Sequence, residues 1–153
     1  EQAKQMADKT VGIIPTTTIQ QGIAAALAFQ SHVNLAQNIE AMTEAARRVK
    51  SGQVTFATRD TKLNGLKIRK GELLGISENE IVASSSELLN VCQEVLRHLI
   101  DHDDEVLTVF TGTDADPKQT QSLVEQMEQQ YPDIDIEVLD GKQPVYSYLF
   151  SVE

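Results

Sequence analysis

The chain has 153 residues, 41% of them hydrophobic and 24% charged, with 13 lysines and arginines against 23 acidic residues. That composition excludes a disordered chain, and the net charge of −10 argues against nucleic acid as the main partner. No apolar run reaches the ~18–20 residues that span a bilayer, and the single cysteine, Cys92, excludes an internal disulfide and a cysteine-rich zinc site.

The polar start, Glu1 to Lys9, reads as the end of a helix. With no Met and no capping residue, it looks cut from a longer protein. A strand is predicted over Val11–Ile14, ended by Pro15. Three threonines follow, and Thr18 with Gln21 three residues on fits a capping box for a helix from Thr18 to about Gln30. Hydroxyls at a helix N-terminus suit either a plain cap or an anion, because free N–H groups and the helix dipole both point there. Asn34 caps the next predicted helix, from Leu35 to about Lys50, with Leu35, Ile39, Met42, Ala46 and Val49 on one stripe. Ser51-Gly52 is read as its stop.

From Gln53 the apolar period changes to two, so Val54, Phe56 and Thr58 mark a strand with one buried face. Asn64-Gly65 marks a tight turn, and Leu66–Arg69, Leu73–Ile76 and Glu80–Ala83 complete a small antiparallel meander. The longest helix is expected from Ser84–Ser86 to about His102, with Cys92 on its packed face. A strand at Val106–Thr111, a helix at Pro117–Gln130 and a strand at Ile134–Leu139 form a parallel crossover, which favours the right hand. Asp116-Pro117 marks the start of that helix. The last strand, Val145–Val152, alternates Tyr146, Tyr148 and Phe150 with Ser147, Leu149 and Ser151.

Charge is unevenly spread. Residues 47–70 hold eight basic residues against Asp60 alone, a local +7 that leaves −17 for everything else. Such a split steers an acidic partner or ligand to the middle of the chain, or else marks a solvated face. Arg59, at a strand end, suits either a carboxylate or phosphate ligand or a local pair with Asp60. His98 and His102 stand four apart with Asp101 and Asp103 nearby, but they lack the glutamate placement of a zinc protease and an evident third ligand. Gly112–Asp116 follows a strand and precedes a helix, where ligands sit in open α/β sheets, yet no phosphate-binding glycines or lysines accompany Asp114 and Asp116. Walker, Rossmann and nucleophile-elbow patterns are absent.

Three stretches together resemble the C-terminal domain of the A-type subunit of bacterial fatty acid kinase, from a dihydroxyacetone-kinase-like, DegV-related family. They are Val11-Gly12-Ile13-Ile14-Pro15-Thr16-Thr17-Thr18-Ile19-Gln20-Gln21-Gly22-Ile23-Ala24-Ala25, then Ala57-Thr58-Arg59-Asp60-Thr61 with Gly65-Leu66-Lys67-Ile68, and Pro144-Val145-Tyr146-Ser147-Tyr148. The resemblance runs over most of the chain, and its specificity lies in the combination. It implies an α/β fold: a DegV-like lobe, truncated at its N-terminus, with a mixed sheet flanked by helices and a small antiparallel meander in the middle. Residues 1–153 then form a single domain with lobes of about 1–83 and 84–153. The implied function is non-catalytic docking to the acyl-carrying DegV-like subunit, so that a kinase domain elsewhere, holding ATP and magnesium, phosphorylates the fatty acid. No catalytic residue, metal site or cofactor is expected in this chain. Thr16, Thr17, Thr18, Gln21, Arg59 and Lys62 are the candidate contacts for partner or anion. A cytoplasmic location and a homodimer belong to the same expectation. The alternatives are a lipid- or anion-binding module in its own right, and a small phosphotransferase using the threonine loop with Asp114 or Asp116.

Overall fold

The computed structural model describes residues 2, 6–63 and 65–153. Of the helix expected over Glu1–Lys9, residues 1 and 3–5 lie outside them; Gln2 and Met6 are helical, and Ala7, Asp8 and Lys9 are not. The chain forms two compact units, residues 1–49 and 50–153.

In the first unit, helices α1 (Ile19–Leu27) and α2 (Leu35–Arg48) are preceded by an extended segment. The strand expected at Val11–Ile14 does not form. Pro15 has no N–H for a ladder, and Thr16 N bonds back to Ile14 O at 3.0 Å, which turns the chain away from any partner. The segment lies instead on α2, where a Cβ on Gly12 would come within 2.6 Å of Ile39. Asn34 and Gln37 form a complete capping box at the start of α2. The turn between the helices is held by buried Asn38, whose amide accepts from Gln30 N and donates to Gln30 O, both at 2.8 Å.

The second unit begins where α2 ends, because Val49 is already extended and Lys50–Phe56 forms strand β1. Ser51-Gly52 is therefore part of the sheet and not a helix stop. Strands β2 (Thr61–Leu63), β3 (Leu66–Ile68), β4 (Leu73–Ser77) and β5 (Glu80–Ser85) follow. Next come α3 (Leu88–Leu99), β6 (Val106–Thr111), α4 (Pro117–Gln130), β7 (Asp135–Asp140) and β8 (Tyr146–Val152). Six strands make one mixed sheet in the order β5-β4-β1-β8-β6-β7, so it draws on both sides of residue 83. Among the described strands, only β6 and β7 pair in parallel, joined through α4 as the strand–helix–strand pattern predicts. Of the expected meander, β1, β4 and β5 belong to the main sheet, and β2 and β3 stand apart as a two-stranded hairpin. β5 runs through Ser84 and Ser85, paired with Leu74 and Leu73, so α3 starts three residues later than the serines suggest.

The core lies between one sheet face and helices α3 and α4. Val54, Leu107, Val109, Tyr148 and Phe150 meet Val91, Cys92, Val95, Leu96, Leu123 and Met127 there. Tyr148 and Phe150 stack with ring centroids 6.2 Å apart. Glycines on β1 and β4 let α3 lie close: a Cβ at Gly52 or at Gly75 would stand 2.6 Å from Leu99 or Val95, respectively. Gly112, just past β6, is tighter still, its imagined Cβ 2.1 Å from the carbonyl oxygen of Tyr146. At the far edge, β7 exposes Val138 and Leu139 among Asp135, Glu137 and Asp140. Among the described residues, no helix is long and apolar enough to cross a membrane.

Candidate docking site

At the start of α1 the hydroxyls serve the helix itself. Thr18 Oγ1 accepts from Gln21 N at 3.2 Å. The Gln21 side chain accepts from Thr17 N at 3.0 Å and from Thr17 Oγ1 at 3.2 Å. The reciprocal box predicted from Thr18 and Gln21 is thus shifted by one residue, its glutamine reaching Thr17 instead of the cap's own N–H. Thr17, Thr18 and Gln21 come together; Thr16 is half-buried beside them, its N–H taken by Ile14. Four of the local donors expected to face an anion are already satisfied within the chain.

The basic section divides. Arg48 pairs with Glu44 on α2 at 3.6 Å. Lys50 Nζ is clamped by Asp101 at 2.9 Å, Asp104 at 2.7 Å and Leu99 O at 3.0 Å. Burial works to lower the Lys50 pKa, but the bonds to Asp104 and Asp101 outweigh it and hold the ammonium above its usual value. Asp101 is held below the usual carboxylate range by its hydrogen bond from Lys50 and by that charge. The acidic 101–105 loop therefore anchors the start of β1.

Arg47 is exposed in the last turn of α2, and what remains is the hairpin. Arg59 and Asp60 enter it and Arg69 and Lys70 leave it. Asp60 does not pair with Arg59: its Oδ1 accepts from Lys70 N at 2.7 Å and ties the two ends together. Bonds from Ala57 N to Glu72 O and from Gly71 N to Ala57 O, each 2.8 Å, close the base. Register places Lys62 directly opposite Lys67, with Leu63 opposite Leu66 and Thr61 opposite Ile68. Gly65, at φ +83°, supplies the left-handed residue at the tip; Asn64 lies outside the described residues. Ile68 is buried, whereas Arg59, Lys62, Lys67, Arg69 and Lys70 are exposed, and among the described residues none of these five has an ion-pair partner. Like charges directly opposite on a strand pair repel, so the hairpin holds cationic density that its own unit does not neutralise. Lys67, which is not among the candidate contacts named from the sequence, stands opposite Lys62 in this register.

The other candidates are engaged elsewhere. α3 ends at Leu99, which takes His102 off the helix and breaks the i,i+4 pairing with His98. His98 Nδ1 lies 2.8 Å from Glu94 O, and among the described residues no acidic, histidine or cysteine group is arranged to hold a metal. Asp116 caps α4 through Lys118 N and Gln119 N, and Asp114 accepts from Ser147 Oγ at 2.8 Å. The cavity between them, bounded by Phe56 and Tyr148, is about 200 Å³, below the ~300–1,000 Å³ usual for small-molecule pockets. Its two carboxylates disfavour phosphate. Tyr148 OH is 2.7 Å from Thr120 Oγ1, and burial raises its pKa. Burial also pushes the Cys92 thiol up to about 12, so Cys92 is a core residue and not a nucleophile at neutral pH.

Fold and site together define an α/β domain with a cationic hairpin on a mixed sheet. The chain belongs to the FakA-like C-terminal family, named for a fatty acid kinase subunit, and the family match covers residues 1–153. An uncharacterized protein of Staphylococcus haemolyticus is 42% identical over 153 residues, covering all of this chain and 28% of the relative. Uncharacterized proteins of Staphylococcus aureus strains USA300 and NCTC 8325 are 40% identical over the same span, again 28% of their length. The chain thus spans just over a quarter of the curated relatives it matches.

Proposed function

We propose that this chain is a non-catalytic docking domain of a fatty acid kinase, engaging an acyl-carrying, DegV-like protein in the cytoplasm. A kinase domain elsewhere in the same polypeptide, holding ATP and magnesium, phosphorylates the presented fatty acid. The observation that carries this reading is the hairpin, where Lys62 faces Lys67 and Arg59 is left unpaired by Asp60. Exposed cations without internal partners suit a carboxylate-rich protein surface, and arginine adds bidentate geometry. Thr16, Thr17, Thr18 and Gln21 offer a separate, uncharged contact on the helical unit. Self-association of the chain belongs to the same proposal.

Binding of the chain to the acyl-carrying protein, measured by calorimetry at low and at physiological salt, tests it. Binding is expected to weaken with salt, and to fall at least tenfold when Lys62→Glu and Lys67→Glu are combined, in line with loss of close charge pairs. No binding by the folded wild-type chain overturns the proposal.

A further inference from the structure

Among the described residues, the non-glycine positions with positive φ are Glu78, Asn79, Lys142 and Val145. Val145, at φ +76°, is the one with a branched Cβ, which that conformation crowds against the backbone. The turn around it is closed and firmly held. Tyr146 N donates to Pro144 O at 2.9 Å across Val145, a γ-turn of the rare, strained hand. Thr55 Oγ1 donates to Val145 O at 2.7 Å. The Gln143 side chain donates to Phe110 O at 3.1 Å and to Tyr146 O at 3.4 Å. None of these bonds uses the valine side chain, so glycine or asparagine would serve the turn with less strain. Nor does burial offset the strain, because Val145 is 71% exposed. The fold holds a branched apolar side chain in water at a cost that its own packing does not explain.

Position says what the side chain meets. Thr55 pairs with Tyr146, which sets Val145 at the end of β1, where Phe56 is 47% exposed. Ala57, the next residue, closes the base of the cationic hairpin through its bonds to Glu72 and Gly71. Exposed valine and phenylalanine therefore stand at the sheet end from which the hairpin leaves, and Arg59, Arg69 and Lys70 enter and leave that hairpin without ion-pair partners. A small apolar centre beside a charged rim is the anatomy of a specific protein interface, and the sign of the rim selects an acidic partner. We propose that Val145, together with Phe56, is the apolar anchor of the hairpin docking surface, seated in an apolar pocket ringed by carboxylates on the acyl-carrying protein. This rests on the docking reading above and gives that surface the water-excluding centre that its cations alone lack.

Calorimetry with the acyl-carrying protein and urea unfolding test it, each on the chain and on the longer polypeptide. Val145→Asn relieves the strained backbone and removes the apolar group, so it should raise the urea midpoint and weaken binding about tenfold. That loss should be the same at low and at physiological salt, whereas the loss from Lys62→Glu with Lys67→Glu shrinks as salt screens the charges. Val145→Thr keeps the branched shape and the backbone strain, so it should leave the midpoint in place and weaken binding by about threefold. No binding by the wild-type chain overturns the docking reading and this assignment together. Wild-type binding that Val145→Asn matches overturns the assignment alone. A lowered midpoint for Val145→Asn in either form overturns it too, since Val145 is then packed against the polypeptide's own surface.

Discussion

The helical unit and the sheet unit answer the problem of a stable surface in opposite ways. Residues 1–49 are electrically balanced, bury small and polar side chains, and leave bulky aliphatic ones in water. Residues 50–153 carry the whole −10, close most of their apolar residues into one core, and concentrate unpaired cations on a single hairpin. One unit is thus specified mainly by caps and one buried asparagine, the other by side-chain packing across a sheet. They should fail by different mechanisms and recognise different chemistries.

The largest effect is expected where backbone meets backbone. Gly112→Ala sets a methyl against the Tyr146 carbonyl, so β6 and β8 must part. A loss of about 3 kcal/mol is expected, read from tyrosine fluorescence in urea, with the α1–α2 helical signal retained. Next, Asn38→Ala removes both bonds that hold the turn at Gln30, costing about 2 kcal/mol at roughly 1 kcal/mol per bond. Here far-UV dichroism should fall at lower urea than tyrosine emission. If both signals move in one transition, the two units are a single cooperative body and the contrast between them is lost.

A smaller effect sits at the Lys50 clamp. Asp101, with its folded pKa lowered, contributes stability that is present above its unfolded pKa and lost as pH falls through the folded value. Lys50, with its folded pKa raised, contributes stability that is full below its unfolded pKa and lost as pH rises through the folded value. Stability should therefore fall off at both ends of the pH range. Lys50→Met should flatten both limbs and lower the neutral-pH urea midpoint by the equivalent of about 1 kcal/mol. The smallest effect has the opposite sign. Lys62→Glu turns a repelling cross-strand pair into an attracting one and should raise stability by about 0.5 kcal/mol while weakening docking. A variant that folds better and binds worse separates recognition from folding.

Legibility from sequence followed the range of the interactions. β6 and α4 form where read, because Asp116, Pro117 and the alternation of Val106–Thr111 are local signals. Cys92 packs in the core as its helical spacing indicates. The α/β class and the parallel crossover were legible for the same reason. Val11–Ile14 misled because a short apolar run cannot announce that it lacks a strand partner. Ser51-Gly52 misled because glycine's reason there is the approach of Val95 and Leu99, more than forty residues away in the chain. The Lys50 clamp had no local signal at all, since Asp101 and Asp104 lie 51 and 54 residues on. Of the candidate contacts, the mutual bonding of Thr17, Thr18 and Gln21 was nearly legible. The freedom of Arg59 was not, because it depends on Asp60 choosing the backbone of Lys70.

The sheet ends at β7 on a row of backbone groups with no strand beyond it among the described residues, and with Val138 and Leu139 in water. Such an edge is a template for addition of a foreign strand. Asp135, Glu137 and Asp140 stand along it. Two copies brought together at this edge would oppose carboxylate to carboxylate, so the guard against edge-to-edge pairing is repulsion. Repulsion of this kind is screened within about 10 Å at 0.1 M salt. Salt at that level therefore weakens the guard that the acidic residues set on the β7 edge.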